Sequence, residues 1–523
     1  MRWRRAGRDR RSRQLSAVRR CRPGQSPRAA WWVVSGSSAT TPCVGPGRGS
    51  CVRRFGHPRL REWAGVRGVR SHNRSGLVEN APVKAIDREI LRLAAPAFLA
   101  LVAEPLFLLS DAAIVGHLGT PELAGLGIAA VILQTVVGLC VFLAYGTTAS
   151  VARHLGAGDL RGALAQGVDG VWLAILIGTL ATVGGILATP ALVGAFDTGP
   201  EVAEQAETYL AIAFLGTTPL LVMLATTGVL RGLQDTRTPL LVAVAGNALN
   251  IALNVLLVYG LDLGIAGSAI GSVVAQVFSA AWLVAVVVRA AREHDAPLSP
   301  DRAGILAAAH AAVALVIRTL ALRACLLVGT YAVTRVSTQG TDVTLATHQI
   351  AITLWTFLAF ALDAIAIAAQ ALTGRALGSG DVESTRQLTR RMIRWGWGSG
   401  IVAGLALAAV SPFIGALFTS DPEVLALLVP VLLVAAIAQP LAGVVFVLDG
   451  VLIGAGDGAF LAWAGLVVLA AYAPAALWAA TLPHGLVAVW IAMNVVFMGA
   501  RGLLLSWRAR GDRWLVTGAS VSG

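Results

Sequence analysis

Asp111 stands in an apolar stretch, "EPLFLLSDAAIVGHLG" (residues 104–119), in which a carboxylate is out of place. A second apolar stretch, "NALNIALN", carries Asn247, Asn250 and Asn254 at spacings i, i+3 and i+7. If that stretch is helical, the three amides share one face. A carboxylate beside such amides, away from water, is suited to proton coupling. Desolvation penalises its charge while amide N–H groups support it, and the balance lets the charge change within the working pH range. An ionisable group inside a membrane costs about 2.5–3.5 kcal/mol on insertion scales, so its presence argues for a function. By the same reasoning Glu104, seven residues before Asp111 on the same face and followed by Pro105, is a second candidate. Asp363, mid-run in 344–371 with Gln349 and Gln370 on nearby faces, is a third candidate, for the second half of the chain. Asp449, near the end of its run, can simply meet water, and His348 reads as an interfacial histidine.

Other chemistries lack a constellation. "ARHLGAGD" (152–159) and its echo "GRALGSGD" (374–381) look like phosphate cradles, but neither has the lysine of G-x-x-x-x-G-K-[ST]. They read as helix-ending turns, with glycine in the left-handed conformation and aspartate capping a following interfacial helix. "GSAIGS" (267–272) fits no serine-nucleophile motif, and no cysteine pair has metal-ligand or disulfide spacing. No enzyme and no bound metal are expected. The one small species these residues call for is a coupling proton.

The elements that must position these residues follow from composition. The chain is 56% apolar and 13% charged, with mean hydropathy +0.73, whereas soluble proteins carry about 25% charged residues. Apolar runs fall at 90–115, 126–150, 167–195, 205–230, 239–260 and 265–290. After a polar linker (289–302) they resume at 316–336, 344–371, 395–418, 424–448, 459–481 and 485–507. Each is long enough to cross a hydrocarbon core of about 30 Å. In lipid every backbone group needs an internal partner, so these runs must be helices. The spacing predicts an all-α integral membrane protein of 12 transmembrane helices. Asp111 lies about six residues before His117 and Asn254 six before Gly260. At 1.5 Å per residue both sit roughly 9 Å inside the same boundary.

Loops after the second, fourth, sixth and eighth helices are rich in arginine, whereas the opposite loops carry Arg335 and the acidic "DTGPEVAEQAE" (197–207) and "SDPEV" (420–424). The positive-inside rule therefore places both termini in the cytoplasm. The chain also repeats itself. Arg153 and Arg375, Gly158 and Gly380, and Asp159 and Asp381 are each 222 residues apart, as are "VLRGLQD" (229–235) and "VLIGAGD" (451–457). Six helices per copy give both copies one topology, a 6+6 pseudo-twofold arrangement about an axis along the membrane normal. The expected organisation is a tail (1–80), a first lobe (81–302), a second lobe (303–510) and a C-terminal tail (511–523). Residues 1–80 hold 19 arginines against Asp9, Glu62 and Glu79, while the remainder has net charge −3. The basic balance belongs to the tail, which reads as disordered, or as the product of a start codon assigned too far upstream. It gives the lobes no reason to bind nucleic acid.

At these residues the chain resembles the MATE (multidrug and toxic compound extrusion) transporters, in particular their DinF-like bacterial branch. The resemblance rests on "EPLFLLSDAAIVGHLG", "ARHLGAGD", "GVLRGLQDTRTP" (228–239), "NALNIALN", "LDAIAIAAQALTGRALGSGD" (362–381) and "FVLDGVLIGAGD" (446–457), in family order in both lobes. It implies a V-shaped pair of six-helix bundles. It implies export of organic, often cationic, small molecules across the plasma membrane in exchange for H⁺ or Na⁺. Membrane lipids would be the only other partners, and the protein would be a monomer. Asp111 matches the family's helix 1 aspartate, Asn250 its helix 5 asparagine and Ser272 a helix 6 hydroxyl. Asn254 stands where a second aspartate is usual. Asparagine cannot titrate, so one carboxylate remains, which favours a proton switch over a sodium site. The alternatives are a lipid-linked precursor flippase of the same superfamily or a non-transporting membrane protein. The flippase is expected to have about 14 helices and a basic cavity, whereas few arginines fall at membrane depth here, Arg323 being the exception. One charge moved through 100 mV releases about 2.3 kcal/mol, so no ATPase motor is needed.

Overall fold

The computed structural model describes residues 83–336 and 341–519. The expectations for residues 1–80 lie outside these. Among the described residues, twelve helices are long and apolar enough to cross a membrane. They are α1 (Ala85–Gly116), α2 (Thr120–Gly156), α3 (Leu160–Gly194), α4 (Pro200–Gly232), α5 (Arg237–Gly260) and α6 (Gly264–Glu293) in the first half. In the second half they are α7 (Arg302–Thr334), α8 (Asp342–Gly378), α9 (Val382–Leu417), α10 (Pro422–Gly454), α11 (Gly458–Ala479) and α12 (Gly485–Arg510). Every run expected from the sequence is present in order. Most are longer than their apolar stretch, because the helix continues through polar end turns until a glycine stops it. The interfacial helix expected after Asp159 is instead the first turns of α3, which starts at Leu160. Nothing between Leu160 and Pro190 interrupts the helical hydrogen bonding.

The ends explain themselves locally. Asp159 accepts the Gly162 N–H at 2.8 Å and Asp381 accepts the Ser384 N–H at 2.9 Å, so both aspartates are N-caps. That N–H holds the Asp159 carboxyl below the usual carboxylate range. The cap's contribution is therefore complete above that range and is lost as pH falls through the lowered value. The turns before them need a left-handed residue: Gly158 has φ +79° and Gly380 φ +80°. The other repeat pair, Gln234 and Gly456, has φ +65° and +77°. The backbone of the repeat is thus kept where one copy lacks the glycine.

Packing within the second half uses small residues. Gly396, Gly400 and Gly404 recur every four residues on α9, and each backbone meets that of α10 at Gly443, Gln439 and Ala436. Where lipid offers no hydrophobic driving force between helices, such close approach supplies the van der Waals contact. The two halves meet chiefly through α1 and α2 against α8. Ala97 of α1 is buried against Ala364 and Ile367 of α8. Large apolar side chains such as Leu187, Leu417 and Ile437 stay about four-fifths exposed on the outside, where acyl chains solvate them.

Candidate functional site

Four helices of the first lobe converge on Asp111. It is 3% exposed, and Asn250 and Asn254 are fully buried. Its carboxylate accepts three hydrogen bonds: from Asn254 Nδ2 of α5 at 2.7 Å, from the Tyr209 hydroxyl of α4 at 3.0 Å, and from Ser268 Oγ of α6. A second layer follows. Asn250 Nδ2 donates to Ser272 Oγ at 3.0 Å, and Asn250 Oδ1 accepts from Asn254 at 3.4 Å. Asn254 Oδ1 is buried with no partner among the described residues. No basic side chain is within ion-pair distance of Asp111 among the described residues. A negative group is thus held by neutral donors alone, which can re-orient when its charge is lost.

Asp111, Asn250, Asn254 and Ser272 are brought together as the sequence anticipates. Tyr209 and Ser268 were missed. Ser268 carried a signal, since it precedes Ser272 by one helical turn; Tyr209 carried none, because only the fold brings α4 to α1. Asn247 leaves the group and donates to the Ala103 carbonyl at 2.8 Å. Glu104 stands apart: its side chain is exposed and makes no hydrogen bond or ion pair among the described residues. The site belongs to one lobe only, for the repeat-related positions of Asp111, Asn254 and Ser268 are Val333, Ala476 and Trp490.

The second lobe carries a different cluster. Asp449 of α10 is buried between two arginines. Arg318 of α7 binds it through Nε at 3.2 Å and through Nη2, and Arg501 of α12 approaches it to 3.5 Å. Asp449 does not simply meet water, and arginines do lie at membrane depth. Arg501 is further held against the Phe497 and Phe446 rings, 5.6 and 6.0 Å from their centroids. Asp363 is half-buried on α8. Gln370 does not join it; its amide donates to the Tyr145 carbonyl of α2 at 2.5 Å and ties the lobes. Gln349 is exposed, four helical turns from Asp363, and makes no side-chain bond among the described residues. His348 is buried, bonded to the Thr330 hydroxyl at 3.2 Å and edge-on to Trp490. Arg323 is exposed, its guanidinium lying over Gly138 of α2.

At the arginine-rich ends the lobes are locked together. Arg375 donates to Glu89 at 2.9 Å and to Gln234 at 2.8 Å, and Asp87 receives both Arg391 nitrogens and the Trp395 indole. Gly156 lies against the Arg375 carbonyl and Gly378 against the Arg153 carbonyl, a reciprocal contact across the pseudo-twofold axis. Arg153 is almost fully buried and donates to the carbonyls of Ala455 at 3.0 Å, Val516 at 2.5 Å and Gly518 at 3.2 Å. The "ARHLGAGD" turn therefore pins the C-terminal segment, in which Trp514 is buried. Arg153→Ala is expected to free residues 511–519, so that trypsin cuts at Arg510 and Arg513 about tenfold faster than in the wild type while the helical core survives.

The sequence profile of the MatE family matches residues 96–256 and 311–476. "Protein DETOXIFICATION 44, chloroplastic" of Arabidopsis thaliana is 32% identical over 445 residues, 81% of this chain and 82% of the relative. "DNA damage-inducible protein F" of Escherichia coli (strain K12) is 31% identical over 447 residues, 83% of this chain and 94% of the relative. Among solved structures, one described as "Crystal structure of MATE in the bent conformation" superposes with TM-score 0.75 at 21% identity, over 82% of this chain and 96% of that one.

Proposed function

The chain belongs to the MatE family of multidrug and toxic compound efflux transporters, multi-pass membrane proteins that are not enzymes, and from that premise we propose that it exports organic small molecules in exchange for protons. The carrying observation is Asp111, a lone buried carboxylate whose three partners are neutral donors. Ionised, it accepts all three. Protonated, its O–H needs an acceptor, and the unpartnered Asn254 Oδ1 is one amide rotation away. Protonation thus rearranges bonds that join α1 to α4, α5 and α6, which couples the charge of one group to the packing of the lobe. Substrate binds between the lobes, and proton uptake at Asp111 releases it outward.

The basic loops favour a plasma-membrane orientation with the termini in the cytoplasm. The locked ends then form a closed cytoplasmic side, as an outward-facing state requires. Asn254 in place of a second carboxylate favours H⁺ over Na⁺, because one carboxylate must serve alone. The test uses the full chain reconstituted in vesicles loaded with a fluorescent cation. Efflux is expected under an imposed pH gradient and not under a Na⁺ gradient, and the reverse would refute the reading. Asn254→Asp is expected to add a Na⁺-driven component that the wild type lacks.

A further inference from the structure

We infer that the second lobe holds a monatomic anion, a halide, in the cavity between Arg318, Asp449 and Arg501. Among the described residues Asp449 is the one carboxylate that meets two arginines; every other Arg–carboxylate pair is one to one. The three residues come from α7, α10 and α12, and each is more than nine-tenths buried. Two guanidinium groups on one carboxylate leave the cluster with one positive charge in excess. Asp363 also lies in the field of Arg318, but Arg231 acts on Asp363 in turn, so counting both leaves the excess unchanged. Donors exceed acceptors too. Asp449 takes Nε and Nη2 of Arg318, and Nη2 of Arg501 approaches it, which leaves Arg318 Nη1 and Arg501 Nε without a hydrogen bond to the described residues. Arg501 Nη1 reaches only the Met498 sulfur, at 3.9 Å. The Phe446 and Phe497 rings serve the face of this guanidinium, whereas its N–H groups point in the plane.

A cavity of about 10 Å³ lies among these groups, lined by Arg318, Asp449 and Arg501 together with Leu322, Leu461 and Leu505. That is room for about one water-sized sphere, too little for a phosphate or for the carboxylate of an organic acid. A halide is such a sphere, and it accepts N–H bonds from any direction. Water fits the space but carries no charge, and a buried charge without a counter-charge is costly. The depth makes that cost count. Asp449 is five residues from the end of α10 at Gly454, and Arg501 is nine from the end of α12 at Arg510. At 1.5 Å per residue they sit roughly 8–14 Å inside the arginine-rich ends, where bulk counter-ions screen a buried charge poorly. The repeat does not account for these residues, since the positions 222 residues before Arg318, Asp449 and Arg501 are Pro96, Thr227 and Ser279. The first lobe thus has no counterpart of the cluster, and the cavity is lined by second-lobe residues alone.

The test titrates the full chain in lipid nanodiscs with chloride at constant ionic strength, gluconate making up the balance. Binding is read from the excess NMR line width of chloride. The wild type is expected to broaden the line saturably, and bromide to reverse the broadening. Arg501→Met, similar in length and without charge, is expected to weaken chloride at least about tenfold, the scale of one charge-assisted hydrogen bond. Asp449→Asn adds to the positive excess and is expected to tighten chloride at least about threefold. Arg508→Gln breaks a one-to-one pair with Asp457 and is expected to leave binding as in the wild type. Opposite effects at Asp449 and Arg501 separate an anion site from a salt bridge that only holds helices together, which both substitutions would weaken alike. Absence of saturable broadening in the wild type, displacement by gluconate as effective as by bromide, wild-type affinity in Arg501→Met, or weaker binding in Asp449→Asn overturns the site.

Discussion

Asp111→Asn is expected to reduce proton-driven export to background while leaving the protein inserted and folded. Asparagine is nearly isosteric, so the cavity stays filled, and its amide can still bond the Tyr209 hydroxyl and the Asn254 amide. What it cannot do is change charge. Every bond that distinguishes the two protonation states is lost as a switch, although the static network survives. The loss is therefore in rate and not in abundance. Each tenfold in transport corresponds to about 1.36 kcal/mol of coupling energy, and a full unit charge moved through 100 mV is about 2.3 kcal/mol. A decrease of at least about fiftyfold in gradient-driven efflux, with unchanged membrane yield, is the expected measurement. Wild-type export by this variant would remove Asp111 from the mechanism.

The second large effect is expected at the reciprocal glycines. A side chain at Gly378 runs into the Arg153 carbonyl, and one at Gly156 into the Arg375 carbonyl. Both neighbours are backbone, which cannot rotate away. Overpacking of this kind costs about 1–3 kcal/mol. Because the contact joins the lobes only while these ends are together, the cost falls on the closed state and not on the fold of either lobe. Gly378→Val should therefore shift the closed/open ratio by roughly 5- to 150-fold. Hydrogen exchange is expected to rise in the 152–159 and 374–381 turns and to stay as in the wild type around Asp111, with export lowered at least about tenfold. Faster exchange throughout the first lobe would mean simple destabilisation instead.

Periodicity and spacing made the helices, the repeat and half of the Asp111 site readable, because these are local or self-referential patterns. The cluster around Asp449 was not readable, for a specific reason. Apolar runs read as 316–336 and 424–448 put Arg318 and Asp449 at run edges, where water is expected. The helices extend to Arg302 and to Gly454, which moves both residues inward and buries them together. Arg318, Asp449 and Arg501 lie on three helices far apart in sequence, and no single-chain pattern announces such a pairing. Arg153 was legible as part of a turn but not as the clamp on residues 516 and 518, since its acceptors are backbone carbonyls that any sequence offers. Glu104 shares a helix face with Asp111, yet their separation carries it beyond the convergence of α4, α5 and α6.

The most direct test is the count of protons released when substrate binds. In weakly buffered solution, saturating the purified full chain with a transported cation is expected to release about one proton per protein from the wild type and none from Asp111→Asn. Binding without proton release in the wild type, or equal release from both proteins, would contradict an exchange centred on Asp111.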